Sequence, residues 1–482
     1  MSRRFPVPVP VSVSVPVCLA VLALCCRGDS RPPSPRPSLA PARSGNGLSV
    51  LLITIDTLRA DHLGLYGYHR KTSPHIDALG QRGTVFDRAF TFWPKTRGSF
   101  VMMMTGRRPS QNGYSKEHPV LLDFNPTLAG VLKQAGYRTA AVLDNPNLAS
   151  QHGYSRGFER YRETWEEPAL VTETDRAHVI TEDGIAHLRA AREDQPFFLW
   201  LHYVNPHAPY TPPAPFDRAF TDGATSGPRL APVSGFHGGV KKEWAVAGKT
   251  LGYYVSQYDG EIASVDAEVG RVLAALDATP VAGKTVVVLT SDHGESLGEH
   301  DYYFDHGEDL FDPCLAIPLI VAMPGAKGGQ RSSEFTSTLD LVPTILDAVK
   351  VSYPPDLAGT SVLGAVTGGG GPGRTRLFAQ NDRNLSATFD ERFKLVDTPR
   401  DDGQAETALY DRQGDPGETR DVRTREPEPF RVARRELDLF LDRANREWTK
   451  TKELVLGKKG EQPMSKEACE KLLALGYVSH CP

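Results

Sequence analysis

Two apolar runs stand out along this chain, at residues 48–55 (Leu-Ser-Val-Leu-Leu-Ile-Thr-Ile) and 285–291 (Thr-Val-Val-Val-Leu-Thr-Ser). Neither alternates between apolar and polar positions, the pattern of strands buried on both faces of a parallel sheet. Further strands are predicted at 139–143, 197–204 and 317–322, the last closed by Pro324-Gly325. Helical patterns lie between them. Residues 126–135 read as a helix ended by Gly136, and 254–276 carry Ile262, Val265, Val269, Val272 and Leu273 at helical spacing, which predicts one face packed on the sheet. Strand and helix patterns that alternate in this way predict a sheet covered on both faces. A glycine cluster at 368–373 marks a break in composition. Beyond it, strand-like 374–380, 393–396 and 409–411 precede a charged helix at about 429–448, and no internal repeat is visible.

The 482 residues exceed a usual single domain, which predicts one large α/β domain at 48–366 with a smaller C-terminal subdomain at 367–482. A formal charge of −4 offers no basic footprint, so nucleic acid is not an expected partner. At the N-terminus, Arg3 and Arg4 precede an apolar, proline-interrupted segment at 5–24. Its best uninterrupted stretch, 17–24, is too short to span a bilayer and suits a cleaved signal better than an anchor. The leader, 1–26, ends in Leu22-Ala23-Leu24-Cys25-Cys26, similar to a bacterial lipoprotein cleavage site, although Leu24 fits poorly before a modified cysteine. Lipidation of Cys25 or Cys26, giving a membrane tether, and an ordinary secretory signal stand as alternatives. Either implies export, to the periplasm or the cell surface. Residues 27–47 are crowded with Pro, Ser and Arg, and are expected to be a disordered tether. Outside the leader, Cys314, Cys469 and Cys481 do not make a disulfide framework, although Cys469 and Cys481 are candidates for pairing near the C-terminus.

Candidate chemistry gathers at strand ends. The first run ends in Asp56, and the run at 285–291 ends in Asp292-His293-Gly294-Glu295. In open parallel sheets ligands collect at the carboxyl ends of strands, so two carboxylates and an imidazole aimed there suit a cation. A plainer reading of Asp56 is a cap for a helix starting at Thr57. Asp and His together tolerate Ca2+, Mn2+, Mg2+ and Zn2+. One divalent cation is expected, with Ca2+ or Mn2+ ranked first.

Several motifs together resemble the sulfatase family of the alkaline phosphatase superfamily. They are Leu52-Ile53-Thr54-Ile55-Asp56-Thr57-Leu58-Arg59-Ala60-Asp61, Thr105-Gly106-Arg107, Asn205-Pro206-His207-Ala208-Pro209-Tyr210, Thr290-Ser291-Asp292-His293-Gly294-Glu295 and Ile317-Pro318-Leu319-Ile320-Val321. The resemblance covers nearly all of 48–478. It implies an α/β fold with a large mixed, mostly parallel sheet sandwiched by helices, with a smaller C-terminal α+β unit. It also implies a divalent cation at the carboxyl end of the sheet and an oxyacid ester, small-molecule or glycan, as substrate. Metal ligands would be Asp56, Asp292 and His293, with Thr96 joining them.

One departure from the family bears on mechanism. Sulfatases carry a Cys or Ser nine residues before the Thr of Thr-Gly-Arg, followed by Pro and Arg at fixed offsets. Here that position is Thr96, in Thr96-Arg97-Gly98-Ser99-Phe100. Oxidation of threonine would give a ketone, so no formylglycine is expected. Thr96 can still serve as an alkoxide nucleophile beside a cation, or simply cap a helix through Ser99. The metal set is also similar to that of lipoteichoic acid synthases and phosphoethanolamine transferases. His207 resembles the family histidine at the ester's oxyanion or leaving group, and is otherwise a turn residue. His306 lies about where sulfatases place a substrate-clamping lysine, with a second-metal ligand or an exposed loop histidine as alternatives. Asn145 follows a strand at another family lysine position, and Arg97 is a candidate replacement for the arginine missing at Phe100. The expected activity is metal-dependent hydrolysis of sulfate or phosphate esters through Thr96. A phosphodiesterase, a phosphoryl-group transferase acting on envelope acceptors, and an inactive binding homologue are the alternatives.

Overall fold

The computed structural model describes residues 45–456 apart from 168, 171 and 401–404, together with 466, 469, 470 and 473. The expected leader with Cys25 and Cys26, the tether up to residue 44, and Cys481 lie outside the described residues. Cys469 is disulfide-bonded, and Cys314 is a free, buried thiol. No helix among the described residues is long and apolar enough to cross a membrane.

The main sheet has eight strands: β1 (Ser49–Ile55), β2 (Thr84–Phe90), β3 (Arg138–Leu143), β4 (Arg160–Glu163), β5 (Phe197–Tyr203), β6 (Thr285–Ser291), β7 (Leu319–Ala322) and β8 (Gln330–Ser337). Their spatial order is β8-β2-β7-β6-β1-β5-β3-β4. Every pairing is parallel except those of β7, which runs antiparallel to β6 and β2. The sheet is thus mixed and mostly parallel. The apolar pattern predicts β1, β3, β5, β6 and β7 but neither β2 nor the two edges β4 and β8. Asp87 and Arg88 interrupt β2, while β4 has no buried residue and β8 begins Gln-Arg-Ser-Ser-Glu. Edge strands are kept polar because an apolar edge would pair with other chains.

Helices cover both faces: α1 (Pro74–Arg82), α2 (Thr96–Thr105), α3 (Leu128–Gln134), α4 (Glu173–Arg189), α5 (Leu251–Asp277), α6 (Leu341–Ala348) and α7 (Pro427–Val455). Strand side chains alternate between faces with period two. Val50, Leu52, Trp200, Val286 and Val288 join one core with α2, α3, α6 and α7. Leu51, Ile53, Leu199, Val287 and Leu289 join the other with α1, α4 and α5. The α5 stripe predicted from Ile262, Val265, Val269, Val272 and Leu273 is buried as expected, each such side chain contributing about 1.5–3 kcal/mol.

The C-terminal residues add an antiparallel sheet in the order β9 (Leu377–Gln380), β10 (Ser386–Phe389), β11 (Phe393–Pro399), β12 (Ala405–Asp411), ahead of α7. Polar contacts tie it to the main body. The Gln380 amide donates to Phe92 O at 3.0 Å. Lys394, wholly buried, reaches Asp312 Oδ1 at 2.6 Å and Glu418 Oε1 at 2.8 Å, and Arg412 shares Asp312 at 2.6 Å.

Candidate active site

Strand register builds the site. Ile55 of β1 pairs with Ser291 of β6, so the next residues, Asp56 and Asp292, emerge side by side. Both share the parity of Val50 and Val288, which places them on the α2 face of the sheet. On the other side of β1, Thr54 pairs with His202 of β5, and His202 pairs with Leu143 of β3, two residues before Asn145. Four adjacent strands thus deliver Asp292, Asp56, His202 and Asn145 to one place, and all four are fully buried. The helix-cap reading of Asp56 does not hold: Thr57 has φ 52° and the first helical turn is Ala60–His62. A β-branched residue in the left-handed region is strained. Thr57 is clamped by Tyr258, whose hydroxyl donates to Thr57 O at 2.7 Å and accepts from the Arg59 amide at 3.0 Å.

Thr96 arrives from α2. It is the first helical residue and Lys95 is the N-cap, so the reading of Thr96 as a cap is corrected. Ser99, one turn on, donates to Asp292 O at 2.8 Å and seats the helix against β6. His293 Nδ1 lies 2.9 Å from Gly294 O, which makes Nδ1 the N–H donor and turns the Nε2 lone pair inward. There Nε2 accepts from Thr96 Oγ1 at 3.2 Å and lies 3.2 Å from Asp292 Oδ2 and 3.8 Å from Asp56 Oδ1.

This geometry fits a divalent cation. Ligand atoms of Asp56, Asp292 and His293 all lie within 4.8 Å of one another. Among the described residues, Asp56 Oδ1 and Asp292 Oδ2 are buried with no hydrogen-bond partner, an arrangement that is costly unless positive charge sits between them. Burial pushes Asp292 up to about 6, aided by the Asp56 charge. Burial also acts on Asp56, but the His202 bond and the charges of His207 and His293 outweigh it and hold Asp56 below the usual carboxylate range. Unequal ionisation is expected of two carboxylates at one site.

Asn145 donates to Asp56 Oδ2 at 2.6 Å and accepts the Asn147 amide at 2.9 Å. Its side chain orients a carboxylate. His202 also faces Asp56 Oδ2, at 3.5 Å, and is backed by Thr54 Oγ1 at 2.9 Å, which accepts from Trp200 Nε1 at 2.8 Å. Sequence reasoning missed His202; an imidazole inside an otherwise apolar buried run is the signal that marks it.

His207 and His306 stand close by. Their rings are 5.1 Å apart, edge to face, and the His306 ring is 4.1 Å from that of His293. His306 is buried, so the exposed-loop alternative does not apply. Its Nδ1 meets Glu295 Oε1 at 2.9 Å. Burial, then the charges of His293, His207 and Lys95, hold His306 well below the usual imidazole range. His207 Nδ1 donates to Ala208 O at 2.6 Å, and burial keeps this imidazole low as well. Arg97 is anchored by Asn147 Oδ1 at 3.0 Å and His152 Nε2 at 3.3 Å, on the segment that follows Asn145. Lys95, which sequence reasoning also passed over, lies against Gly307, where an added Cβ would sit 3.2 Å from Lys95 Cδ. Its adjacency to Thr96 was the available signal.

The family model for sulfatases matches residues 49–351, and that for the N-sulphoglucosamine sulphohydrolase C-terminal region matches 298–438. Iduronate 2-sulfatase of Mus musculus is 28% identical over 401 residues, covering 68% of this chain and 71% of that protein. The phosphonate monoester hydrolase of Agrobacterium radiobacter superposes with a TM-score of 0.69 at 21% identity, over 83% of this chain and 96% of that one. A structure holding its substrate D-glucosamine-2-N,6-O-disulfate superposes with a TM-score of 0.68 at 21% identity, over 84% and 98% of the two chains. With the family model spanning more than half of its length, across the strands that end in Asp56 and Asp292-His293 and the helix that begins at Thr96, this chain belongs to the sulfatase family.

Proposed function

We propose that this sulfatase-family enzyme hydrolyses sulfate or phosphate esters with Thr96 as nucleophile. The observation that carries the reading is Thr96 Oγ1 at 3.2 Å from His293 Nε2, in the same buried cluster as Asp56 and Asp292. Asp56, Asp292 and His293 would hold a divalent cation, Ca2+ or Mn2+ first, whose positive charge would lower the Thr96 hydroxyl's pKa and favour the ester's oxygens. The amino terminus of α2 adds a partial positive charge beside Thr96. Thr96 Oγ1 releases its proton to solvent and forms the bond to sulfur or phosphorus as the bond to the leaving oxygen breaks, and that oxygen takes a proton from solvent. Water then attacks the threonyl ester as His207 Nε2, the unprotonated nitrogen of a ring whose Nδ1 donates to Ala208 O, takes the water's proton; the sulfur or phosphorus oxyanion leaves, and His207 passes the proton to the Thr96 oxygen to restore the hydroxyl. Lys95 and His306 border the position of the transferred group.

The curated relative is named for a sulfated uronate, and a structural neighbour holds a sulfated glucosamine. On that basis a sulfated saccharide is the proposed substrate class. A second reading, action on a phosphodiester or phosphonate, is favoured by Thr96 itself: a threonyl ester has no second hydroxyl with which to expel sulfate, whereas water can attack phosphorus directly. Export through the expected leader, with or without a lipid tether, belongs to the same proposal. Aryl sulfate, phosphate, phosphodiester and phosphonate assayed against a Ca2+, Mn2+, Mg2+ and Zn2+ series test it. Thr96→Ala is expected to lower kcat by at least ~10³-fold, and unchanged turnover would remove Thr96 as nucleophile. An added alcohol acceptor separates transfer from hydrolysis.

A further inference from the structure

Tyr258, on α5, is fully buried and touches two loops of the proposed centre. Its hydroxyl donates to Thr57 O at 2.7 Å and accepts from the Arg59 amide at 3.0 Å, so it holds the residues that follow Asp56. Its ring meets Tyr210, close behind His207 in the chain, edge to face at 5.3 Å. The His62 ring meets it edge to face as well, at 5.1 Å. His62 is itself fixed: its Nδ1 lies 2.7 Å from Asp259 Oδ1, while Asp259 Oδ2 accepts from the Tyr68 hydroxyl at 2.7 Å and from Arg70 Nη1 at 2.6 Å. Packed by two rings in a dense interior, the Tyr258 side chain has its hydroxyl fixed in place.

The backbone held by that hydroxyl is strained. Thr57 has φ 52°, and a β-branched residue pays for the left-handed region unless its surroundings impose it. The same loop is tied to the second ligand strand. The Leu58 amide donates to Ser291 Oγ at 3.1 Å, Ser291 Oγ donates to His293 O at 2.6 Å, and Arg59 Nη1 donates to Glu295 O at 3.0 Å. A shift at Thr57 would therefore move Asp56 and disturb the loop of Asp292 and His293 together. We infer that Tyr258 is a positioning residue for the cation: its hydroxyl holds Thr57 in the left-handed conformation that aims Asp56 at Asp292 and His293. The inference rests on the reading of those three side chains as cation ligands. Tyr258 acts through the backbone of Thr57 and Arg59 and is not itself a ligand.

The test titrates the full-length protein, stripped with EDTA, with Ca2+ and with Mn2+ by calorimetry. Tyr258→Phe deletes the hydroxyl and keeps the ring, and is expected to weaken binding of both ions by about tenfold. Glu261→Gln is the control. It lies three residues further along α5 and bonds the His207 turn through Asn205 and the Thr211 amide, so cation affinity should hold. Thr57→Gly supplies the left-handed conformation without strain. In that background Tyr258→Phe should weaken binding only about threefold or less, the non-additivity of two residues acting by one route. The cation concentration for half-maximal turnover of an aryl sulfate or aryl phosphate should follow the same order. Equal affinity of Tyr258→Phe and wild type, an equal loss in Glu261→Gln, or additive losses in the double variant overturns the inference and leaves the cation site standing. Failure of the wild-type protein to bind either ion overturns both. Absence of all ester turnover, with the Tyr258→Phe loss of affinity retained, removes the hydrolase reading and leaves the positioning role in place.

Discussion

Asn145 Nδ2 donates a 2.6 Å hydrogen bond to Asp56 Oδ2, so an amide on the loop after β3 sets the orientation of a carboxylate at the end of β1. Groups that hold a metal ligand in place typically contribute 10–100-fold to affinity. Asn145→Ala is therefore expected to weaken divalent-cation binding by about that factor while the fold persists, as read by calorimetric titration and circular dichroism. Unchanged cation affinity would show that Asp56 needs no such partner.

Metal removal should expose the repulsion between Asp56 and Asp292. A cation at a hundredfold excess over its Kd stabilises a native state by about 2.7 kcal/mol, so EDTA is expected to lower Tm and Ca2+ or Mn2+ to restore it. Asp292→Asn removes one of the two buried carboxylates. The metal-free variant should melt higher than metal-free wild type and respond little to added cation, which differential scanning fluorimetry reads directly.

Glu261 predicts a pH dependence away from the metal. It is buried beneath the Asn205–His207 turn, accepting from Asn205 Nδ2 at 2.7 Å and from the Thr211 amide at 2.8 Å. Burial pushes its carboxyl from 4.5 up to about 7, against the pull of the Asn205 and Thr211 bonds. The native state thus holds this proton more tightly than the unfolded chain. The stabilisation is complete below pH 4.5 and is lost as pH rises through 7, a change of about 3 kcal/mol. Glu261→Gln should flatten that slope in urea unfolding measured from pH 4.5 to 8.

Lys394 tests the joint between the two sheets. Its ammonium is wholly buried with Asp312 and Glu418. Lys394→Met leaves Glu418 buried without its cation, and breaking a buried pair from one side costs about 3–5 kcal/mol. Equilibrium unfolding should show that loss, and Lys394→Met with Glu418→Gln should recover part of it. A purely additive double variant would argue against coupling.

The buried strands were legible because a run of β-branched residues with no polar alternation has few other folded solutions. Residues 285–291 were predicted as a strand and are β6 to the residue. Asp56, Thr96 and Asp292-His293 were legible as chemistry because they close such strands or occupy family motif positions. Edge strands β4 and β8 were not, since their polar sequences look like loops until a neighbour supplies the hydrogen bonds.

The sequence by itself determined the family, the central strands and the identity of the chemical groups, because those depend on local pattern and side-chain type. Only the tertiary structure decided which groups meet. The Ile55–Ser291 register puts Asp56 beside Asp292, β5 brings His202 beneath Asp56, and Asn145 turns to Asp56. His306 folds in against Glu295 and His293. Those contacts join residues far apart in the chain, and they are set by strand register and by packing on the α2 face, which no local pattern encodes.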